Sequence, residues 1–201
     1  MKQAGLGSAR ERILDAAAPL FYRDGFQAVG VDTIVAESGV AKMTLYRHFP
    51  SKDELIAAYL ERANAQFWGW LNGAVERVDD PEAKLVAVFE SVSKLSTDPN
   101  CLGCTFQASA AEFPDLDHPG HRVALAHKTQ VIERFAELAD AARLRSPDAL
   151  ARQLFLLMEG AWMSIRMFGG KSPATDAVDA AQALIAAHRS SRRGRALPRQ
   201  G

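Results

Sequence analysis

No stretch of this chain alternates apolar and polar residues with the period of two that a half-buried strand needs; wherever apolar residues recur, they do so every three or four positions. An all-α fold follows, and the residues between the periodic runs mark the helix ends. Ser8-Ala-Arg-Glu11 is a capping box, in which the serine hydroxyl and the glutamate carboxylate each satisfy a backbone amide that the helix leaves unpaired. Ile13, Leu14, Ala17, Leu20 and Phe21 then share one face, Asp24-Gly25 ends the helix, and Pro19 inside it predicts a kink. Two short helices follow, from about Asp32 to Ser38 and from Lys42 to His48, separated by Gly39-Val40-Ala41. A second capping box, Ser51-Lys-Asp-Glu54, opens a long helix with Leu55, Ile56, Tyr59, Ala63, Phe67, Trp70, Leu71 and Val75 along its stripe. Asp80-Pro81, His118-Pro119 and Ser146-Pro147 each pair an N-cap with a proline at the first helical position, where no intrahelical amide bond is lost. Cys101 to Phe113 and Thr175 to about Arg189 complete nine helices, arranged as a small N-terminal unit of three and a larger unit of six.

The 201 residues suffice to bury a core of their own, and 48% hydrophobic against 24% charged residues is globular usage rather than that of a disordered chain. No apolar run approaches the roughly eighteen residues of a membrane span. The opening MKQAGLGSAR has no apolar run of a secretory signal, so the expected setting is the cytoplasm, with both cysteines as thiols. The 24 basic and 24 acidic residues balance, yet residues 188–201 hold five arginines and no acid. The expected division is residues 1–52, residues 53–189, and a basic, disordered tail at 190–201.

Two short helices joined by a glycine turn have the shape of a helix-turn-helix, whose second helix enters the major groove of DNA. Ile34, Val35, Val40, Leu45 and Phe49 are expected to lock the pair together, with Gly39 in the turn. Lys42, Met43, Thr44, Tyr46, Arg47 and His48 are left facing outward on a helix about 10 Å long, enough for one groove crossing. The hydroxyls of Thr44 and Tyr46 can donate to phosphate oxygens, Lys42 and Arg47 bring charge, and His48 can donate from a ring nitrogen. Lys52 stands at the start of the next helix, where its ammonium and the unpaired amides can share a phosphate. Arg10 and Arg12 on the first helix are further candidates for the DNA backbone.

The stretch from Phe26 to Leu55, FQAVGVDTIVAESGVAKMTLYRHFPSKDEL, resembles the DNA-binding segment of the TetR family of bacterial transcriptional regulators. TLYRHFPSKDEL preceded by ESGV is a specific motif; the likeness covers about residues 9 to 60, and beyond it only the number and length of the helices correspond. It implies a nine-helix chain with an N-terminal three-helix helix-turn-helix domain and a C-terminal helical domain for ligand binding and dimerisation. In the family, positions matching Thr44, Tyr46, His48 and Lys52 hold the DNA backbone or base edges, and those matching Lys42, Met43 and Arg47 vary and adjust the operator. Asp32 and Thr33 add contacts from the start of the second helix. Three positions depart from the pattern: Val35 where alanine is usual, Ala41 where serine often caps the recognition helix, and Met43 where glycine, alanine or proline is frequent. Loss of a side-chain cap costs about 0.5–2 kcal/mol, so the third helix is expected to fray without DNA.

The resemblance further implies a homodimeric repressor on a palindromic double-stranded operator, released by a small-molecule inducer, with no membrane partner, cofactor or metal. The eighth helix, with Leu154, Leu157, Met158, Ala161, Trp162, Ile165 and Phe168 at helical spacing and Gly160 for close approach, and the ninth, with Val178, Ala181, Leu184, Ile185 and His188, suit a dimer interface. Phe67, Trp70, Phe89, Cys104, Phe106, Phe113, Met158 and Trp162 are candidates for the inducer site, and Trp68, Met163 and Met167 are further material for core or pocket. The fourth helix, with Lys52 at one end and Trp68 and Trp70 at the other, is the expected lever between ligand and DNA. Cys101-Leu-Gly-Cys104 admits three readings: packing, a thiol sensor of oxidants or electrophiles, or a zinc site completed by His118 or His121. Glu112, Asp115, Asp117, His118 and His121 gather near one loop, but without a nucleophile pattern, a phosphate-binding glycine loop or HExxH spacing they do not make an enzyme.

Overall fold

The computed structural model describes residues 7–189, and among them the chain forms nine α-helices and no strand. They are α1 (Ala9–Asp24), α2 (Val31–Ser38), α3 (Lys42–His48), α4 (Lys52–Val75), α5 (Pro81–Ser96), α6 (Thr105–Glu112), α7 (Pro119–Ala141), α8 (Pro147–Phe168) and α9 (Ala177–Ala187), with 3-10 turns at Gly169–Lys171 and Pro173–Asp176. The basic tail expected at 190–201 lies outside the described residues. No described helix is long and apolar enough to cross a membrane.

Local chemistry sets most helix ends. The Ser8 amide donates to the Glu11 carboxylate at 2.8 Å and the Glu11 amide to Ser8 Oγ at 3.3 Å, which closes the first capping box. Ser51 Oγ accepts from the Glu54 amide at 3.1 Å, and the Asp80 carboxylate accepts from the Ala83 amide at 2.8 Å. Pro19 is accommodated inside an uninterrupted α1, which ends where Gly25 turns to φ +88°.

Two helix starts and one cap differ from the expectation drawn from sequence. Helix α6 begins at Thr105 rather than Cys101, because Gly103 takes φ +92° and lies so close to the Trp162 carbonyl that a Cβ would sit 2.9 Å from it. The backbone there is satisfied sideways instead: Tyr22 Oη donates to the Gly103 carbonyl at 3.0 Å and accepts from the Leu102 amide at 2.7 Å. Ser146 does not cap α8; it adopts φ 51°, ψ 58°, and its side chain makes no capping bond. That turn is shaped by Arg145, whose amide donates to the His188 carbonyl at 2.7 Å and whose guanidinium reaches the Ala187 and Arg189 carbonyls, so it caps the end of α9. Helix α9 starts at Ala177, after the Ser172 hydroxyl has capped the 3-10 turn before it.

Two hydrophobic cores meet along α4. The first joins Ile13, Phe21, Phe26, Ile34, Val40, Leu45 and Phe49 to Leu55, Ile56, Tyr59 and Leu60 of α4, and reaches Phe106 of α6 and Ala124 of α7. Val35 is only half-buried, so four of the five side chains expected to lock α2 to α3 do so by full burial. The second core joins Leu71 and Val75 of α4 to Leu85, Val88 and Phe89 of α5, Val131 and Phe135 of α7, and the inner faces of α8 and α9. Leu154, Met158, Ala161, Trp162 and Ile165 turn into this core rather than outward. The stripe of α8 left bare is a different one, Leu156, Gly160, Met163 and Met167, spaced 4, 3 and 4 residues apart.

Phe89 and Phe135 stack with ring centroids 5.9 Å apart at the centre of the second core. Replacing Phe135 by alanine is expected to cost about 3–5 kcal/mol, from lost transfer energy and the cavity left behind. Urea unfolding followed by circular dichroism measures this directly.

Candidate functional site

Gly39 ends α2 in the left-handed conformation, at φ 62° and ψ 25°, which turns the chain into α3. The Arg12 guanidinium donates to the Ser38 carbonyl at 2.8 Å and the Gly39 carbonyl at 3.1 Å. Arg12 therefore braces the turn from α1, and Arg10 lies over the Phe49 ring at 5.2 Å. Leu45, fully buried, anchors α3, so the residues on either side of it face out. Met43 is 74% and Tyr46 39% exposed; Lys42, Arg47 and His48 are exposed and Thr44 half-buried. Ala41 offers no side-chain cap, and its carbonyl alone receives the Thr44 and Leu45 amides.

Lys42 Nζ pairs with Asp32 at 2.7 Å across the turn, and hydrogen bonding to that carboxylate holds its pKa above the ordinary lysine value. Both side chains are exposed, so a phosphate can compete for the ammonium. Thr33 is exposed one residue further on. Lys52 Nζ donates to the Gln27 carbonyl at 3.2 Å, and partial burial pushes its pKa down against the pull of Asp53 and Glu112.

Behind this face a cavity of about 520 Å³ opens between α1, α4, α6, α7, α8 and the segment before α6. Six of the eight inducer-site candidates line it: Phe67, Trp70, Cys104, Phe106, Met158 and Trp162. Phe89 lies instead in the second core, and Phe113 stacks on His118 at 3.9 Å and packs against Phe26 at 5.9 Å. Trp68 packs edge-on to Phe67, while Met163 and Met167 are on the surface. Cys101 also lines the cavity. His118 faces Asp53 and His121 the Phe113 carbonyl, away from the cysteines, and no three potential ligands gather among the described residues.

The polar groups of the cavity wall were not singled out from sequence. Lys128 interrupts the apolar stripe of α7; its ammonium pairs with Glu159 and donates to Cys104 Sγ at 3.3 Å. His127, 2% exposed, stacks on Phe106 at 3.7 Å and meets Phe67 edge-on at 4.6 Å. Its Nδ1 lies 2.7 Å from Asn64 Oδ1, an acceptor, so Nδ1 carries the proton. Burial, aided by the Lys128 charge, depresses its pKa to about 3. Tyr22 is pushed up by burial and by Cys101. A histidine and a lysine among Ala124, Val131 and Phe135 were the available signal.

Helix α6 connects the cavity to the outer face. It leaves Thr105 and Phe106 in the cavity wall and ends at Glu112, whose carboxylate accepts the Phe26 amide at 3.1 Å and the Gln27 amide at 2.7 Å. Gln27 Nε2 returns a bond to the Glu112 carbonyl at 2.6 Å. Glu112, read from sequence beside the loop histidines, is thus the joint between α6 and the α1–α2 connection.

This fold, with its exposed third helix, defines a helix-turn-helix DNA-binding regulator. The sequence pattern of bacterial regulatory proteins of the tetR family matches residues 13–59. The structure is similar to that of SCO4454, a TetR-family transcriptional regulator from Streptomyces coelicolor, at 32% identity over 90% of this chain and 96% of that one, with a TM-score of 0.84. It is similar also to a TetR transcriptional regulator from Streptomyces avermitilis, at 34% identity, 90% and 98% coverage and a TM-score of 0.82. The transcriptional regulator YjdC of Escherichia coli is 26% identical over 152 residues, 75% of this chain and 80% of its own. The chain belongs to the TetR family of transcriptional regulators, whose members are DNA-binding proteins rather than enzymes.

The state of His127 has a consequence for stability. In the unfolded chain it titrates near pH ~6.5, whereas folded it stays neutral down to about 3. Between those values the unfolded state binds more protons, so this contribution is whole above the upper value and declines as pH falls. From about pH 7 to about pH 5 the parent is expected to lose about 2 kcal/mol more than His127→Phe. Urea unfolding of both proteins at the two pH values checks this; parallel losses would exclude a neutral buried His127.

Proposed function

We propose that this chain is a homodimeric repressor that holds a palindromic operator through two copies of α3 and releases it when a small-molecule inducer fills the cavity. The observation that carries this reading is the polar joint at Glu112. A ligand that displaces α6 pulls on the amides of Phe26 and Gln27, and the Gln27 carbonyl holds Lys52. Helix α4 offers a second route, with Lys52 at its start and Phe67 and Trp70 in the cavity wall. Induction is then a matter of differential affinity: a ligand that prefers the arrangement unable to span two half-sites draws the population away from DNA.

Thr33, Lys42, Met43, Thr44, Tyr46, Arg47, His48 and Lys52 are the proposed DNA contacts. Lys42, Arg47 and Lys52 supply charge to phosphates, Thr44, Tyr46 and His48 supply directed hydrogen bonds, and the exposed Met43 reaches the apolar edge of a base. Residues 1–52 are the proposed DNA-binding domain and 53–189 the proposed sensing and dimerisation domain. Dimerisation through α8 and α9 is supported by the bare stripe of Leu156, Gly160, Met163 and Met167 on α8. Such a stripe is the apolar patch that a partner helix covers.

Selection of binding sites from a random duplex library tests the reading. The parent is expected to enrich one palindrome and Tyr46→Ala to enrich none, with affinity for that palindrome falling with salt at a log-log slope of roughly 0.9 per phosphate contacted. Met163→Glu is expected to sediment as a monomer and to lose operator binding by about a hundredfold or more, since each half-site alone is weakly held.

A second reading is favoured by the contact between Lys128 and Cys104. The Lys128 ammonium donates to the Cys104 sulfur at 3.3 Å and Cys101 lines the same cavity, so both thiols lie where an oxidant or electrophile that enters the cavity reaches them. Under that reading N-ethylmaleimide releases the parent from its operator and leaves Cys104→Ser bound.

A further inference from the structure

The chemistry of the cavity wall restricts what can occupy it, on the reading that this cavity is the sensing site. Its volume of about 520 Å³ lies within the roughly 300–1,000 Å³ of sites that enclose small organic ligands. Phe67, Trp70, Phe106 and Trp162 present aromatic surface from α4, α6 and α8, which favours a flat, aromatic occupant. Of the two charged residues on the wall, the lysine is already matched and the aspartate is exposed to solvent. Lys128 is paired with Glu159, and the exposed Asp98 accepts two bonds from Asn100 at the mouth. An occupant charged at its buried end, away from the exposed Asp98, would lie without a counter-ion.

The hydroxyls are engaged as well: Tyr22 with the backbone of Leu102 and Gly103, and Tyr59 with Thr105 at 3.0 Å. Apart from exposed residues such as Gln66, one side-chain acceptor of the wall stands unengaged. With the proton of His127 on Nδ1 and directed to Asn64, Nε2 carries a lone pair. Among the described residues Nε2 has no hydrogen-bond partner, and it is not sealed off, since Ser109 Oγ is the one buried side-chain atom left without a partner. It therefore opens on the cavity that His127 lines, with its direction fixed by the stack on Phe106. Because burial keeps the ring neutral, Nε2 accepts and does not donate, and a carboxylate or phosphate placed there meets a lone pair.

We propose that the cavity binds an uncharged aromatic molecule of a few fused rings bearing one hydroxyl or N–H group, which donates a hydrogen bond to Nε2 of His127. A phenolic compound meets every requirement: ring faces for the aromatic wall, no formal charge, and one directed donor.

Matched probes test the proposal: 2-naphthol and 9-phenanthrol, each against its methyl ether, and 2-naphthoate as the charged analogue. Binding to the full chain is followed by quenching of tryptophan fluorescence, since Trp70 and Trp162 line the cavity, and by calorimetry. Each phenol is expected to bind about tenfold or more tightly than its ether, the value of one hydrogen bond to a buried acceptor, and 2-naphthoate to bind more weakly than either. His127→Phe removes the acceptor and is expected to bring phenol and ether to equal affinity. Asn64→Leu, which leaves the imidazole in place but releases its Nδ1 proton, is expected to shrink the preference and serves where the first variant fails to fold. Tightest binding of 2-naphthoate, equal or absent binding of the phenols and ethers by the parent, or a preference undiminished in the variants overturns the proposal. Addition of 9-phenanthrol to the protein on its selected operator separates the two readings: the expected preference together with unchanged DNA affinity leaves the ligand class standing and refutes the sensing role of the cavity.

Discussion

Helix α4 is packed into two cores at once, and the rest of the molecule is arranged around that constraint. Its 24 residues extend about 36 Å at 1.5 Å per residue, long enough to serve the helix-turn-helix with Leu55, Ile56 and Leu60 and the larger bundle with Leu71 and Val75. Between those stretches lie Ala63, Phe67 and Trp70, where neither core closes over the helix and the cavity opens. A ligand space at a junction between two packed units is therefore a product of how α4 is shared. The same sharing places one end of the helix beside Lys52 and its middle in the cavity wall.

Burial of polar groups at this junction is tolerated because nearly all are matched by specific partners. Lys128 has Glu159, Tyr22 bridges Leu102 and Gly103, His127 has Asn64, and the Glu112 carboxylate holds two backbone amides. An unmatched polar group in such a place costs about 1–3 kcal/mol, so each pairing also pins the elements that supply it. The pins cross between units: α1 to the segment before α6, α4 to α7, and α6 to the α1–α2 connection. The cavity wall is consequently stiff where it matters for recognition and continuous with the outer face.

Charge in a sequence says little about the work a side chain does. Arg12 and Lys42 are both basic residues near the turn, yet Arg12 is held by two carbonyls of the turn while Lys42 lies exposed beside Asp32. Arg145, though exposed, similarly caps α9. In each case a carbonyl left unpaired at a helix end lies within reach of a guanidinium from a distant part of the chain, and only the fold brings the two together. The same holds for the sulfur of Cys104, whose meeting with Lys128 joins residues 24 positions apart.

Helix type, the limits of α3, the Gly39 turn and the outward set on α3 were legible in the residues alone, because periodicity, capping and backbone freedom act over a few neighbours. The family motif was legible for the same reason, being a local constellation. Helix α8 marks the boundary: its sequence carries two apolar stripes, and periodicity cannot say which turns inward. Packing against α5, α7 and α9 decided that Leu154, Met158 and Trp162 are core and that Leu156, Met163 and Met167 are surface. Phe67 and Phe89 have equal standing as aromatic residues on helical stripes, yet one lines the cavity and the other fills a core, since the difference depends on what lies across from each. The sequence by itself determined an all-α chain with a DNA-reading turn, through interactions within one or two helical turns; only the tertiary structure decided where the cavity lies, which polar atoms face it and how it joins the outer face, because those contacts bring together residues far apart along the chain.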